Sequence, residues 1–210
     1  MSMSLRVWSE QVVPRLTDWA LDSDQVAPFR DRVCQGLHGR VLELGFGSGL
    51  NIAHYPAEVT AVGAVEPAEV GWALSRRRRR LSAVPVGRAG LDGQHLADAD
   101  ECYDAALVTF SLCSIPDAGL ALREVRRVLR RGGRLHFLEH GLAPDEPVRR
   151  WQRRLEPLQQ RVFAGCHLTR DVPAMMRAAG FEIEWLEQAY VPGPALSRPW
   201  TFGSLGVARA

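Results

Sequence analysis

The stretch Val41-Leu42-Glu43-Leu44-Gly45-Phe46-Gly47-Ser48-Gly49 decides the fold. A short apolar run meets glycines at alternate positions and is followed by Leu50-Asn51-Ile52-Ala53. Such a run reads as a buried strand entering a tight turn, with a helix starting beyond it. The glycines permit the turn and let backbone amides approach a ligand closely. The dinucleotide-binding fingerprint wants its third glycine at position 50, where Leu50 stands; the glycine here is at 49.

Outward from this turn, strands alternate with helices. Residues 59–65, 84–91, 104–110 and 135–138 read as strands, the last set off by a Gly132-Gly133 turn. Residues 118–131 read as a helix in which Leu120, Val125 and Val128 share a face. That alternation implies βαβ units and a parallel sheet covered on both sides. Near the start, Leu5, Trp8, Val12, Leu16 and Trp19 recur at helical spacing, with Pro14 expected to kink or split the helix. After the fifth strand, Val148, Trp151, Leu155, Leu158 and Val162 step by three and four between Arg149, Arg150, Arg153, Arg154 and Arg161. The pattern predicts an apolar stripe buried under an arginine-rich face, either packed on the domain, closing a pocket, or lying on a membrane surface.

Composition narrows the function. The chain has 210 residues, 46% hydrophobic and 24% charged, with net charge +2. One core burying roughly 70% of the unfolded surface is expected. No apolar run reaches the about 18 residues of a membrane span, and no signal-peptide h-region is read at the start. All 26 basic residues are arginine, which excludes Schiff-base and P-loop lysine chemistry. Near-neutral charge does not announce a nucleic-acid binder. Cys34, Cys102, Cys113 and Cys166 form no CxxC pair, which fits reduced cytoplasmic thiols rather than a zinc ribbon or disulfide framework.

The GxGxG turn preceded by Glu43 resembles motif I of the class I S-adenosylmethionine-dependent methyltransferases. Glu66 ends the second strand, well placed for ribose hydroxyls. Leu91-Asp92-Gly93-Gln94-His95-Leu96 resembles the family segment whose acid and following amide hold the adenine. The segments 103–107, 111–117 and 125–135 are similar to those of the ubiquinone/menaquinone and phosphatidylethanolamine methyltransferases. His54-Tyr55-Pro56, Phe137-Leu138-Glu139-His140 and Gly165-Cys166-His167-Leu168-Thr169-Arg170 resemble the alkyl-thiol S-methyltransferase branch. Two departures stand out: Ala97 replaces the family's usual proline, and the vertebrate enzymes' membrane-anchoring N-terminal segment is not seen.

The resemblance implies a Rossmann-like α/β fold with a mostly parallel seven-stranded sheet and helices on both faces. It implies a single domain over residues 1–210: a helical cap at 1–38, a cofactor core at 39–140, a helical lid at 141–180 and C-terminal strands at 181–210. S-adenosyl-L-methionine is the implied cofactor, with S-adenosyl-L-homocysteine as product. Glu43, Gly45, Phe46, Gly47, Gly49, Asn51, Glu66, Pro67, Asp92, Gly93 and Thr109 are the implied cofactor-binding residues. The implied acceptor is a small, fairly apolar molecule, with a thiol sulfur first and a phenol or quinone position second.

For the chemistry, His140, Thr169 and Arg170 are the candidates. His140 falls past the fifth strand, where open parallel sheets place ligands, and reads as a base, an orienting group or a turn cap. Arg170 reads as a stabiliser of a developing thiolate or as an ion-paired residue fixing its loop. Trp8, Trp185, Tyr190, Trp200 and Phe202 line an acceptor pocket or pack the core. His136-Phe137-Leu138-Glu139-His140 matches the H-x-x-E-H zinc pattern, but on a strand its histidines stand roughly 13 Å apart, so no metal is expected there or elsewhere. Cys166 reads as a buried or pocket-wall cysteine, because transfer from a sulfonium needs no covalent intermediate. Arg76 to Arg80 reads as the C-terminal end of a helix. An RNA methyltransferase using that run and a cofactor-binding fold without transfer remain as alternatives.

Overall fold

The computed structural model describes residues 7–210, so Leu5 lies outside the described residues. A π-helical turn at Trp8–Val12 passes into α1 (Val13–Leu21), with Pro14 in the first turn of α1. The proline thus splits the expected helix by starting a new one, at a position where its missing N–H is not needed. There follow α2 (Ala27–Cys34), β1 (Gly39–Leu44), a 3-10 turn at Leu50–His54, β2 (Val59–Val65), α3 (Glu69–Leu74), α4 (Arg76–Leu81) and β3 (Val86–Gly90). Then come β4 (Tyr103–Thr109), α5 (Ala118–Val128), β5 (Leu129–His140), α6 (Glu146–Val162), α7 (Val172–Ala178), β6 (Glu182–Tyr190), α8 (Arg198–Thr201) and β7 (Phe202–Arg209).

The seven strands form one sheet in the order β3-β2-β1-β4-β5-β7-β6. β1 to β5 pair in parallel, and β7 runs antiparallel to both β5 and β6. Side chains of β1 alternate between two cores: Leu42 and Leu44 belong to the one that includes Leu122, Val125 and Met176, and Val41 to the one that includes Val33, Leu37 and Leu107. The mostly parallel Rossmann-like sheet expected from the sequence is therefore present.

Three local expectations are corrected. The glycine turn leads into a 3-10 turn rather than an α-helix. α5 ends at Val128, and β5 already begins at Leu129. Tyr103 pairs with Leu129 while Ala105 pairs with Arg134, so the Arg-Arg-Gly-Gly segment is accommodated as an irregularity, with Gly132 at φ 74°. Arg76 to Arg80 do not end a longer helix; they form most of α4, which has no buried residue.

α6 also departs from its pattern. Its buried residues are Val148, Gln152 and Gln159, while Trp151 and Leu158 stand exposed. The reason is polar: Gln152 accepts from the Ala143 amide at 3.0 Å and donates to the carbonyls of Gly141 and Pro199 at 2.9 and 3.1 Å. Two of those backbone groups lie in the connection after β5 and the third in the short α8, and one buried amide satisfies all three. Among the described residues no helix is long and apolar enough to cross a membrane. Gln152→Leu should strand these groups and lower unfolding free energy by about 3 kcal/mol, measured by urea denaturation.

Candidate active site

The chain reverses its winding between β1 and β4, and the carboxyl ends of the strands there open a crevice, the usual ligand position of such sheets. A cavity of about 920 Å³ occupies it. Gly45 follows β1, Glu66 and Pro67 follow β2, Asp92 and Gly93 follow β3, Thr109 ends β4 and His140 ends β5; all line the cavity. Leu16 and Trp19 of α1 cover one side, and Gln159, Phe163 and Trp200 close the other.

The glycine turn is shaped for close approach. Gly47 has φ +56°, and a Cβ built there would meet nothing within 4 Å. It would project into open space that a ligand can use. Gly45, at φ +72°, has the opposite reason: its Cβ would stand 1.9 Å from Ser111 Oγ. Gly93 is equally constrained, because a Cβ would fall 2.1 Å from Leu44 Cδ1. Phe46 lines the cavity and packs its ring 5.7 Å from that of Trp72. Gly49 does not line the cavity; with φ +77° it begins the 3-10 turn.

Glu66 is buried and accepts from the amides of Gly47 at 2.6 Å and Ala68 at 2.7 Å. Burial raises its pKa, and those two hydrogen bonds oppose the rise. Its carboxylate keeps lone pairs for hydroxyl donors from the cavity. Asp92 is half exposed, and bonds from His95 and Gln94 hold its pKa down to about 2.

Glu43 does not line the cavity. It is buried beneath it, accepting from Asn51 Nδ2 at 2.9 Å and from the Tyr55 hydroxyl. Asn51 also donates to Thr109 Oγ1 at 3.0 Å and accepts from Arg30 at 2.6 Å. Arg30, buried and cavity-lining, has no motif signal in the sequence; only its place beneath the fold reveals it. Burial pushes the Glu43 carboxyl up to about 7, with the bonds from Tyr55 and Asn51 and the Arg30 charge limiting the rise.

At the far end, His140 Nε2 lies 3.2 Å from Cys166 Sγ. Cys113 lines the same wall, and its thiol together with burial pushes the Cys166 pKa up. Glu139, buried, accepts from the amides of Ser111 at 2.7 Å and Leu112 at 3.0 Å, fixing the loop after β4. Arg170 does not face the cavity. Its guanidinium donates to the carbonyls of Leu112, Ile115 and Pro116, so it fixes that same loop through carbonyls rather than an ion pair. Thr169 also lies off the cavity wall and binds the Glu156 carboxylate, which accepts from the Leu168 amide at 2.7 Å. Of the three catalytic candidates the structure brings only His140 to the cavity.

Among the five aromatics, only Trp200 lines the cavity, its indole donating to Gln159 at 3.0 Å. Trp8 donates to the carbonyl of Val162 at 2.7 Å. Trp185 sits on β6 under Arg32, and Tyr190 and Phe202 pack edge to face. Two members of the arginine run have partners within the protein: Arg78 meets Asp18 and Asp22, and Arg79 lies 3.6 Å over the Trp72 ring, while Arg76, Arg77 and Arg80 are exposed.

A crevice at the switch point, walled by a glycine turn and by acids after successive strands, defines a nucleotide-type cofactor site on a doubly wound sheet. A methyltransferase-domain family model matches residues 42–137. The chain is 33% identical to the human thiol S-methyltransferase TMT1A over 78% of its own length and 68% of that protein. It is 34% identical to the rat thiol S-methyltransferase TMT1B over 69% of its length and 62% of that protein. A solved S-adenosylmethionine-dependent methyltransferase of Thermotoga maritima superposes with TM-score 0.69 at 21% identity, covering 96% of this chain and 98% of that one. The chain belongs to the S-adenosylmethionine-dependent methyltransferase family. It spans roughly two thirds of the length of these two relatives, 62% and 68%.

S-adenosylmethionine is the cofactor of this family, and the residues present fit it. Glu66 offers a buried acceptor for ribose hydroxyls, and Asp92 and the Gly93 amide face the cavity for an adenine edge. The open space at Gly47 leaves room for backbone approach. Gly47→Val should abolish S-adenosylhomocysteine binding by calorimetry while thermal unfolding stays cooperative.

Glu43 generates a pH dependence. With a folded pKa near 7 against an ordinary 4.5, the native state holds its proton after the unfolded chain has lost it. Stability from this group is therefore complete below about pH 4.5 and declines as pH rises toward 7 and beyond, by about 3 kcal/mol. Glu43→Gln should flatten the stability profile between pH 5 and 8, measured by urea unfolding.

Proposed function

We propose that this protein transfers the methyl group of S-adenosylmethionine to a small, fairly apolar acceptor, with a thiol sulfur favoured over a phenol or quinone position. The observation that carries the reading is the continuity of the cavity from the glycine turn and Glu66 to an end walled by His140, Cys166, Phe163 and Trp200. At about 920 Å³ it lies near the top of the range for ligand pockets, with room for a cofactor and a modest acceptor together. The names of the relatives at 33–34% identity favour sulfur as the acceptor. Four free cysteines suit a reducing cytoplasm.

When bound, the cofactor supplies an activated methyl group on a sulfonium. The protein's task is then alignment and exclusion of water, which together contribute up to about 10 kcal/mol. The Glu66 end fixes the nucleoside, and Asn51 and Thr109 stand midway along the wall. Leu16, Trp19 and Phe163 cover the cavity, and Trp200 offers an aromatic face to an apolar acceptor. Two of the five arginines of the run, Arg78 and Arg79, are taken up by partners within the chain, which weighs against an RNA-binding role for it.

Labelled cofactor supplied with alkyl thiol, phenol and RNA panels is expected to give a methylated thiol. Turnover of a phenol without any thiol product would overturn the sulfur preference, and no product with any acceptor would overturn methyl transfer. Trp200→Ala should raise KM for an apolar thiol about tenfold, the equivalent of 1.4 kcal/mol, with S-adenosylhomocysteine affinity unchanged.

A further inference from the structure

Cys113, His140 and Cys166 bring their ligating atoms within 4.8 Å of one another. Among the described residues this is the one such group of histidine, cysteine or carboxylate side chains. Both cysteines are buried and free, and all three side chains line the cavity at its reactive end. They come from three places: the loop after β4, the end of β5, and the segment after α6.

Each is held from behind. Glu139 fixes the amides of Ser111 and Leu112, and Arg170 holds the carbonyls of Leu112 and Ile115, which flank Cys113. The His167 amide donates to the Cys113 carbonyl at 2.8 Å, tying the Cys166 segment to the same loop. Ala164 and Gly165, at φ 49° and 85°, make the left-handed turn that delivers Cys166. For Ala164 that backbone is costly, and such strain concentrates at working sites. His140 pairs with Gly203 on β7, and its ring meets Cys166 through Nε2, while Nδ1 is buried without a hydrogen-bond partner.

A tetrahedral zinc ion with bonds of about 2.3 Å to sulfur and about 2.0 Å to nitrogen puts its ligand atoms roughly 3.5–3.8 Å apart. The spacing of this cluster accommodates that with small side-chain adjustments. Two sulfurs and an imidazole select zinc over the hard cations magnesium and calcium. Three protein ligands leave the fourth position open, as in catalytic rather than structural zinc sites.

We propose that Cys113, His140 and Cys166 bind a zinc ion whose open position faces the cavity and takes the sulfur of the methyl acceptor. The metal site stands on the geometry of the cluster; its use on the acceptor rests on the thiol reading above. On metal binding the two cysteine thiols release their protons to solvent, and the acceptor thiol releases its own on joining the zinc. The acceptor sulfur then donates an electron pair to the methyl carbon as the carbon–sulfonium bond breaks. That bond's electrons stay on the departing sulfur. The products are a neutral thioether, S-adenosylhomocysteine and the one proton already lost; nothing is oxidised or reduced. Zinc keeps a bound thiol ionised near neutral pH, and the chain has no lysine that could supply a positive charge at this wall instead. The thioether binds zinc weakly and leaves.

The test uses the full chain, purified with a non-thiol reductant under anaerobic conditions and titrated with zinc against a chromophoric chelator. One zinc per chain is expected, and Co²⁺ in its place should show the thiolate charge-transfer absorption of a cysteine-ligated site. Cys113→Ser and Cys166→Ser should each weaken zinc binding at least 100-fold while S-adenosylhomocysteine still binds, which checks that the variants fold. A simple alkyl thiol should shift the cobalt spectrum of the wild type. Failure of the wild type to take up zinc, a Cys113–Cys166 disulfide under these conditions, or serine variants that bind like wild type would each overturn the site. Thiol methylation undiminished by a strong chelator would overturn the role of zinc on the acceptor while leaving the thiol reading standing. Zinc bound as expected, with no thiol methylated, would leave the site standing and sink the thiol reading instead.

Discussion

A carboxylate buried where β1 meets its neighbours must be satisfied from every side, and Glu43 is satisfied by groups that the cavity also needs. Asn51 reaches it from the 3-10 turn, Tyr55 from the chain beyond that turn, and Arg30 supplies charge from α2. Asn51 then carries the network to Thr109, at the end of β4. The two strands flanking the switch point are thereby joined by side chains as well as by their ladder. The glycine turn between them has little freedom left. Its geometry is set by what Glu43 requires as much as by what a cofactor requires. Motif I thus contains residues of two kinds, some facing the ligand and one facing the core behind it.

The first five strands and the acids at one end of the cavity were largely legible in the sequence, because they depend on local signals. An apolar run ending in glycines, and acids placed after successive strands, are properties of contiguous residues, and Glu66 and Asp92 stand where those signals put them. The reactive end was much less legible. Arg170 and Thr169 sit beside Cys166 in sequence, yet one turns its donors to the carbonyls after β4 and the other turns to Glu156. No spacing rule reports which way such side chains point. The same limit hid Arg30, one of two arginines in an unremarkable helix, and the approach of Cys113 to Cys166, which lie far apart along the chain and meet only where the segments after β4 and α6 come together.

α6 shows a second way in which pattern misleads. Its hydrophobic residues recur at helical spacing, but the face it buries is centred on two glutamines. Periodicity records where apolar side chains lie around a helix axis, not where unpaired backbone groups wait on the surface it meets. Here the backbone at Gly141, Ala143 and Pro199 needed donors and an acceptor, and Gln152 provides both. Gln159 likewise serves Trp200 and Cys166. The polar demands of the neighbouring loops determined the rotation of the helix, leaving Trp151 and Leu158 outside.

The hairpin of β6 and β7 joins the rest of the sheet along one seam, the antiparallel pairing of β7 with β5 from Arg134 to His140. Side chains tie the same ribbon to the helices: Glu187 pairs with Arg32 of α2, and Trp200, just before β7, donates to Gln159 of α6. At the cavity end of the seam Gly203 stands beside His140, and at the other end Arg209 stands beside Arg134. The acids that line the cavity follow β2 and β3, whereas His140 is held by the pairing with β7. The two ends of the cavity therefore hang on different parts of the sheet.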